Sequence, residues 1–581
     1  MTPAHQSLID APRRGGARLA VLCLLAAAAW LVSRVFIGLD FTDEMQYYGE
    51  IGSLVRTGKL FQDDLFLQQL GYVWVYPLFK LHAALFPDQH YLILFGRLSF
   101  CVAYALAALL FWRCATANGS FTRPQKLCGL AAFLAWIPFQ LFAFCYNSLA
   151  YLLIVTLLSL WLARARLRFS VYAAGVALVL MVLLPSYPPA GLALTGVMAA
   201  EAALRLGRRR GLVILGLTFV AGGLAALGII ILHGSDFPAA LRESVEFSRG
   251  FSLGQLFGSA RQLTIASVII GSSGLLVYRL YRRAPVSSGG TQGDGRRVRL
   301  PHLIAAGAAL ILAGLSVDWS AGYFAPLFFV VLLVLLVGSQ QRSDDTTAAD
   351  LGLFGLLLGT VFSISGGDGI RNFATGAAPV FPFLIMLVAG RQCRGDVLPV
   401  WVQAAAAPLL VMLLLLNGAV HPYREQRGWS GFQRVRGVPA FAGIWTSPDK
   451  IDALERFREL SENGALRGKR VLVAGPHAWL YFTSGGQPAT PMFFMHYTAD
   501  QEAHYTWIAD RLFRTGEPDA IFLTNSVPPP IGKKIQEWAQ AGPRERSLQL
   551  PIGFIRRYRR QTDYDFAGQI YLLTRPSTPP P

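Results

Sequence analysis

The chain is 581 residues long, 53% hydrophobic and only 15% charged, with a formal net charge of +18. A globular chain carries about a quarter charged residues, so this composition excludes a string of ordinary soluble domains. The positive charge does not mark a nucleic-acid binder, because the arginines sit in short clusters between apolar stretches and form no basic face on a soluble module.

Each apolar stretch runs to about 20 residues, enough to cross a hydrocarbon core of about 30 Å. The first, from Arg18 to Leu39, is too long for a signal-peptide core and has no convincing cleavage site. It predicts a first transmembrane helix, with Arg13, Arg14 and Arg18 holding the N-terminus in the cytoplasm. A second span is predicted over Tyr91 to Arg113, returning inward to Arg113, Arg123 and Lys126. Later inward turns meet Arg164, Arg166 and Arg168, then Arg205 and Arg208 to Arg210, then the run from Arg279 to Arg299, then Arg342, then Arg391 and Arg394. About thirteen spans satisfy this charge rule at every turn and leave the C-terminus outside. The segment Ser287 to Gly295 reads as a flexible linker. No fixed-period repeat is present, so neither a solenoid nor the matched halves of a transporter is indicated. The six cysteines lie in or beside apolar segments without metal-ligand spacing and read as packing residues.

The pattern changes after His421. Ser447-Pro448-Asp449 opens a predicted helix that stops at Asn463-Gly464. Strands follow at Arg470 to Ala474, Ala520 to Leu523, Ile552 to Tyr558 and Gln569 to Leu573, with helices at Ala499 to Arg514 and Ile531 to Gln540. The expected fold is therefore a polytopic α-helical membrane domain over 1–418, with its first outer loop at 40–90, and a small outer α/β domain over 419–581. The outer part has no glycine-rich nucleotide loop, and His477, His496 and His504 lack zinc-binding spacing. Its lack of cysteine fits a bacterial envelope, with the chain in the inner membrane.

The first outer loop carries the densest chemistry. Phe41, Met45, Tyr48, Ile51 and Val55 recur at helical spacing, with Asp43, Tyr47 and Glu50 on another face, which predicts an amphipathic helix along the outer interface, its apolar face on lipid or neighbouring helices and Asp43 toward the protein's aqueous side. Thr42-Asp43-Glu44 also makes a good helix start, Thr42 as cap and the acids favoured by the dipole. Asp63 and Asp64 form a second acidic pair, either solvated on a turn or able to bind a divalent cation. Tyr72, Trp74 and Tyr76 suit the aromatic belt of a membrane interface.

The pattern DExxYxxxIxxLxxxGxL, from Asp43 to Leu60, resembles the first-loop motif of the GT-C superfamily of glycosyltransferases, which includes the lipid A aminoarabinose transferases and the protein O-mannosyltransferases. Tyr146-Asn147-Ser148-Leu149 and Ser186-Tyr187-Pro188-Pro189 resemble further motifs of its bacterial members. The specific likeness covers roughly the first third of the chain; the remainder matches in layout. The resemblance implies a transferase that moves a sugar from a polyprenyl-phosphate-linked donor to a hydroxyl on a lipid, glycan or protein acceptor. It places the catalytic base on Asp43, with Glu44 as the neighbouring candidate, although helical geometry turns Glu44 about 100° away.

The sequence departs from that family at two points. The lipid A-type lysine for the donor phosphate is absent, the corresponding stretch reading Leu67-Gln68-Gln69-Leu70, and Asn147 stands where several relatives carry a second acid. The phosphate contact therefore falls to another cation. Arg371, in the glycine-rich stretch from Ser365, is the first candidate, because glycines let backbone amides approach an anion. Arg97 is the second, since a charge inside a span is costly unless paired or functional. Arg249, in an outer loop, is the third. Two other readings stand beside the enzyme: a transporter or flippase of a lipid-linked glycan, and a scaffold whose outer domain binds a partner. The segment from Lys126 to Asn417 carries few mid-membrane ionisable residues, which weighs against transport.

Overall fold

The computed structural model describes residues 3–61, 67–234, 328–329, 332, 346–365, 370–390, 400–420, 431–462, 466, 468–475, 477–489, 518–523, 533, 550–551 and 569–574. The described residues are mostly helical. Five helical segments among the described residues are long and apolar enough to cross a membrane: Gly16–Phe36, Leu92–Asn118, Tyr146–Ala163, Phe169–Ser186 and Arg208–His233. Shorter apolar helices cover Asp350–Ser363, Thr375–Gly390 and Ala405–Ala419. These are the marks of a membrane protein.

Helix α1 (Pro3–Phe36) ends three residues before the expected Leu39. The chain breaks there because Ile37 bridges Trp445 and the Gly38 amide donates to the Trp445 carbonyl at 2.8 Å. Gly38 has φ +86, and a Cβ on it would lie 3.0 Å from the Arg34 guanidinium, so the turn suits glycine in both backbone and space. The first loop then forms α2 (Asp43–Thr57) and α3 (Tyr76–Leu85) before α4 (Leu92–Asn118), which is the second predicted span extended by one turn beyond Arg113.

Helix α5 (Arg123–Ala135) opens with a capping box between Thr122 and Gln125. At 13 residues it is about 20 Å long, too short to cross a bilayer. An irregular stretch follows it. Then come α6 (Tyr146–Ala163), α7 (Phe169–Ser186), α8 (Pro188–Leu206) and α9 (Arg208–His233). The basic turn after α6 is fixed by Arg164, whose Nε lies 2.8 Å from Glu201 of α8. The next described helices are α10 (Thr346–Ser365), α11 (Ile370–Ala377), α12 (Phe381–Gly390) and α13 (Val400–Val420). Helix α5 is central to this group: α1, α12 and α13 all pack on it, while α4 packs on α6 and α6 on α7.

Beyond α13, β1 (Gln433–Arg434) and β2 (Trp445–Thr446) form a short antiparallel ladder. Ser447 and Pro448 open α14 (Pro448–Glu462), with the amides of Lys450 and Ile451 returning to the Ser447 carbonyl. A five-stranded sheet follows in the order β4 (Gln487–Pro488), β3 (Arg470–Ala474), β5 (Ala520–Leu523), β7 (Gln569–Thr574), β6 (Leu550–Pro551). Strand β3 pairs in parallel with β4 and β5, and β7 runs antiparallel to both β5 and β6. Strand β3 is buried from Val471 onward, and Phe457 of α14 packs edge-on against Phe522 of β5 and Trp479. The short helix α15 (Leu480–Ser484) links β3 to β4. The three strands expected near residues 470, 520 and 569 are present at those places. The expected helix stop at Asn463-Gly464, the strand over 552–558 and, apart from Lys533, the helices over 499–514 and 531–540 lie outside the described residues.

Candidate active site

The start of α2 is built differently from the expected Thr42 cap. Thr42 makes no side-chain capping bond. Its amide and hydroxyl both donate to Asp40 Oδ1, at 3.0 and 2.6 Å, and the Glu44 amide donates to Asp40 Oδ2 at 3.0 Å. Asp40 thus satisfies the orphan donors of the first turn from outside the helix, in an Asx-turn. It is buried, as is Thr42.

Glu44 is equally committed. Its carboxylate receives Arg97 Nε on Oε1 and Arg97 Nη2 on Oε2, both at 2.7 Å, a bidentate pair between α2 and α4. The two side chains are 2% and 5% exposed. The remaining Arg97 donor, Nη1, lies 3.4–3.5 Å from the carbonyls of Arg34 and Val35 at the end of α1. One guanidinium therefore ties α4, α2 and the C-terminus of α1 together. This satisfies the condition under which an arginine is tolerated inside a span, and it directs Arg97 at Glu44 rather than at an open anion site. Tyr48 adds to the joint: its hydroxyl donates to the Ile93 carbonyl at 3.4 Å, and its ring lies where a Cβ on Gly96 would stand, 2.3 Å away.

Of the two expected settings for the apolar face of α2, burial against the protein is the one present. Met45, Tyr48, Ile51 and Leu54 are buried, but so are Gln46, Tyr47 and Glu50 on the other side. The polar residues bury in partnership, with Gln46 Nε2 donating to Glu50 Oε1 at 2.7 Å. The helix is a packed element of the protein, and its amphipathic spacing separates two buried environments.

Asp43 stands outside the Glu44–Arg97 pair. It is neither buried nor fully exposed, and it lies close enough to Tyr47 and Cys145 to act on both electrostatically. Burial pushes the Tyr47 hydroxyl well above its usual range, with Tyr146, Cys145, Asp43 and Tyr72 adding to the effect. Burial likewise pushes the Cys145 thiol up to about 11, so it is a neutral capping group rather than a nucleophile. Cys145 and Ser148 close a capping box at the start of α6: the Ser148 amide donates to Cys145 Sγ at 3.4 Å and the Cys145 amide to Ser148 Oγ at 3.2 Å. The Ser148 hydroxyl also donates to the Ala143 carbonyl.

An aromatic run starts beside this acid. Tyr47 meets Tyr146 edge-on with centroids 6.2 Å apart, Tyr146 stacks on Tyr187 at 5.7 Å, and Tyr187 stacks on Phe362 of α10 at 4.3 Å. The structure thus brings together the three motifs singled out in the sequence, which lie about a hundred and about forty residues apart along the chain. Tyr72 is buried beside them, and Tyr76 packs on His233 of α9 at 4.8 Å.

The C-terminal elements touch this region from the other side. Phe41 stacks on Trp479 at 4.5 Å and meets Phe441 edge-on. Lys450 of α14 is buried, donates to the Leu39 carbonyl, and stands 5.5 Å from the centre of the Phe41 ring. The segment from Ile37 to Thr42, which ends in the Asp40 cap, is therefore held by Trp445, Lys450 and Trp479.

Arg371 lies in the first turn of α11, and its side chain is outside the described residues, as are the glycines before it. Arg249, Asp63 and Asp64 are also outside them. Among the described residues no group of three or more His, Cys, Asp or Glu side chains could hold a metal ion. The chain matches no family model, and no curated protein matches it.

Proposed function

We propose that this protein is a membrane glycosyltransferase that moves a sugar from a polyprenyl-phosphate-linked donor to a hydroxyl acceptor at the outer face of a bacterial inner membrane. In this reading about thirteen spans carry the chain from a cytoplasmic N-terminus to an outer α/β domain. The observation that carries it is the division of labour at Asp43-Glu44. Glu44 is locked on Arg97, while Asp43 lies within electrostatic range of Tyr47 and of Cys145 at the α6 cap, and Tyr47 in turn meets Tyr146, which stacks on Tyr187.

The chemistry follows from these groups. Asp43 takes the proton of the acceptor hydroxyl as its oxygen bonds to the anomeric carbon. The bond from that carbon to the phosphate oxygen breaks, and the polyprenyl phosphate leaves with the electron pair. Attack opposite the leaving group inverts the sugar carbon. The leaving phosphate needs fixed positive charge. With Arg97 engaged by Glu44, Arg371 and then Arg249 are the cations offered to it. No divalent cation is required by this scheme.

Thermal unfolding of the purified protein with added undecaprenyl phosphate tests the reading. A ligand that binds only the folded state raises the melting temperature. A saturable rise in wild type that disappears in Arg371→Ala supports a lipid-phosphate site. No rise at any concentration overturns it.

A further inference from the structure

The end of the helix group opposite Asp43 along α4 carries a second feature, unconnected with transfer chemistry. Between α1 and α5 lies an open groove of about 550 Å³, lined by Arg18, Val21, Leu22, Arg123, Pro124 and Leu127. Its size falls within the range of about 300–1,000 Å³ typical of small-ligand sites. Apart from the two arginines, those side chains are apolar. We propose that this groove seats one anionic phospholipid, its phosphate between Arg18 and Arg123 and one acyl chain laid along α1.

Three observations carry the assignment. The first is charge: both arginines are exposed, and neither has an ion-pair partner among the described residues. The second is the end of the helix. Arg123 and Pro124 begin α5, whose first turn contains no acidic residue. A helix N-terminus favours negative charge, yet here the sequence supplies a cation; the Thr122 cap already takes the Gln125 amide and Pro124 has none, so the helix end contributes its dipole while the two guanidiniums supply the donors, with no acid paired to them among the described residues. A phosphodiester meets all three, through the charge-assisted hydrogen bonds that arginine makes to phosphate.

The third observation is the apolar track. Leu22 and Leu25 of α1 are 60% and 61% exposed, and Val32 and Phe36 continue the exposed apolar side chains further along the helix. Apolar side chains at this spacing on a membrane helix face hydrocarbon. The groove is thus continuous with a path for a lipid tail, which distinguishes a phospholipid from a free phosphate ion. Basic pockets between transmembrane helices are a general means of holding anionic headgroups. Zwitterionic lipids offer the same phosphate, but with a cation that these arginines repel.

Delipidated full-length protein in mild detergent, titrated with phosphatidylglycerol or phosphatidylcholine and read by native mass spectrometry, tests the proposal. The expected result is one retained phosphatidylglycerol, bound at least tenfold more tightly than phosphatidylcholine. Arg18→Gln/Arg123→Gln should weaken it by roughly thirtyfold, about fivefold per arginine, while Arg18→Lys/Arg123→Lys retains most of the binding. Leu22→Trp, which fills the groove and leaves both charges, should also expel the lipid. Equal retention of the two lipids, or unchanged binding in the Gln variant, overturns the proposal. So does displacement of the lipid by millimolar inorganic phosphate together with full binding in Leu22→Trp, which would make the site one for free phosphate.

Discussion

Glu44 and Arg97 meet through two parallel 2.7 Å hydrogen bonds in a site closed to water, 53 residues apart in sequence. Removing one partner of such a pair strands a charge and costs about 3–5 kcal/mol, whereas replacing both by apolar groups is far less damaging. Glu44→Gln is therefore expected to lower the melting temperature sharply, and Glu44→Leu/Arg97→Met to recover most of the loss. Thermal unfolding in detergent checks both. A Glu44→Gln protein of wild-type stability but without transferase activity would show instead that Glu44 acts in the chemistry.

Asp43→Asn is the complementary case. Asn keeps the shape of Asp43 and one acceptor oxygen, so the change should cost far less than the ~3–5 kcal/mol of breaking the Glu44–Arg97 pair. Under the proposed function Asp43 is the general base, and loss of such a group costs about 10²–10⁴ in rate. The prediction is a folded, monodisperse protein with transfer reduced by that factor, measured with a polyprenyl-phosphate-linked sugar donor. Wild-type rates in this variant would exclude Asp43 as the base.

Which parts of this site could be read in advance depended on the range of the interactions. The start of α2 at Asp43, the opening of α14 at Ser447-Pro448 and strands β3, β5 and β7 follow local chemistry and lie where local patterns put them. The Asp40 cap was equally local: Asp-Phe-Thr is an Asx-turn sequence two residues before the helix, masked by the more familiar Thr42. The burial of both faces of α2 was not legible. Gln46 and Glu50 look solvent-directed at their spacing, and only their pairing with each other inside the protein reveals otherwise. Arg97 could be flagged as a cation that needs a partner, but choosing Glu44 over a donor phosphate requires the packing of α2 on α4, which Tyr48 over Gly96 sets. The part played by Lys450, more than four hundred residues from Leu39, has no sequence signal at all.

Lys450 connects the C-terminal elements to the segment that carries the α2 cap. Lys450→Met keeps the apolar stem but removes the bond to the Leu39 carbonyl and the cation over Phe41. Those two interactions together contribute about 1–2 kcal/mol. The Gly38 amide, bonded to the Trp445 carbonyl in the same junction, should then exchange with solvent about tenfold faster, while amides in the middle of α4 keep their wild-type rates. Hydrogen exchange by mass spectrometry distinguishes this local loosening from global destabilisation. Unchanged exchange at 36–42 would mean that the stacked Phe41 and Trp479 rings hold the junction without the lysine.

The same junction carries a pH dependence. His477 is buried, and burial lowers its imidazole from 6.5 to about 4. It stays neutral in the fold, with Nδ1 accepting from Trp479 Nε1 at 3.4 Å, and Trp479 is the ring stacked on Phe41. In the unfolded chain this histidine takes up a proton near pH 6.5, so the unfolded state binds more protons between pH 6.5 and about 4. Above that window His477 adds no pH dependence. Stability falls as the pH drops through 6.5, by about 2 kcal/mol at pH 5, and levels off below about pH 4. His477→Gln, which cannot titrate, should flatten this component. The wild-type melting temperature should fall from pH 7.5 to 5 by more than that of the variant, and equal slopes in the two proteins would show that His477 is protonated within the fold. Because Trp479 lies on Phe41, the acid-sensitive step should appear as lost amide protection at 36–42, taken relative to intrinsic exchange at each pH, before the membrane helices are affected.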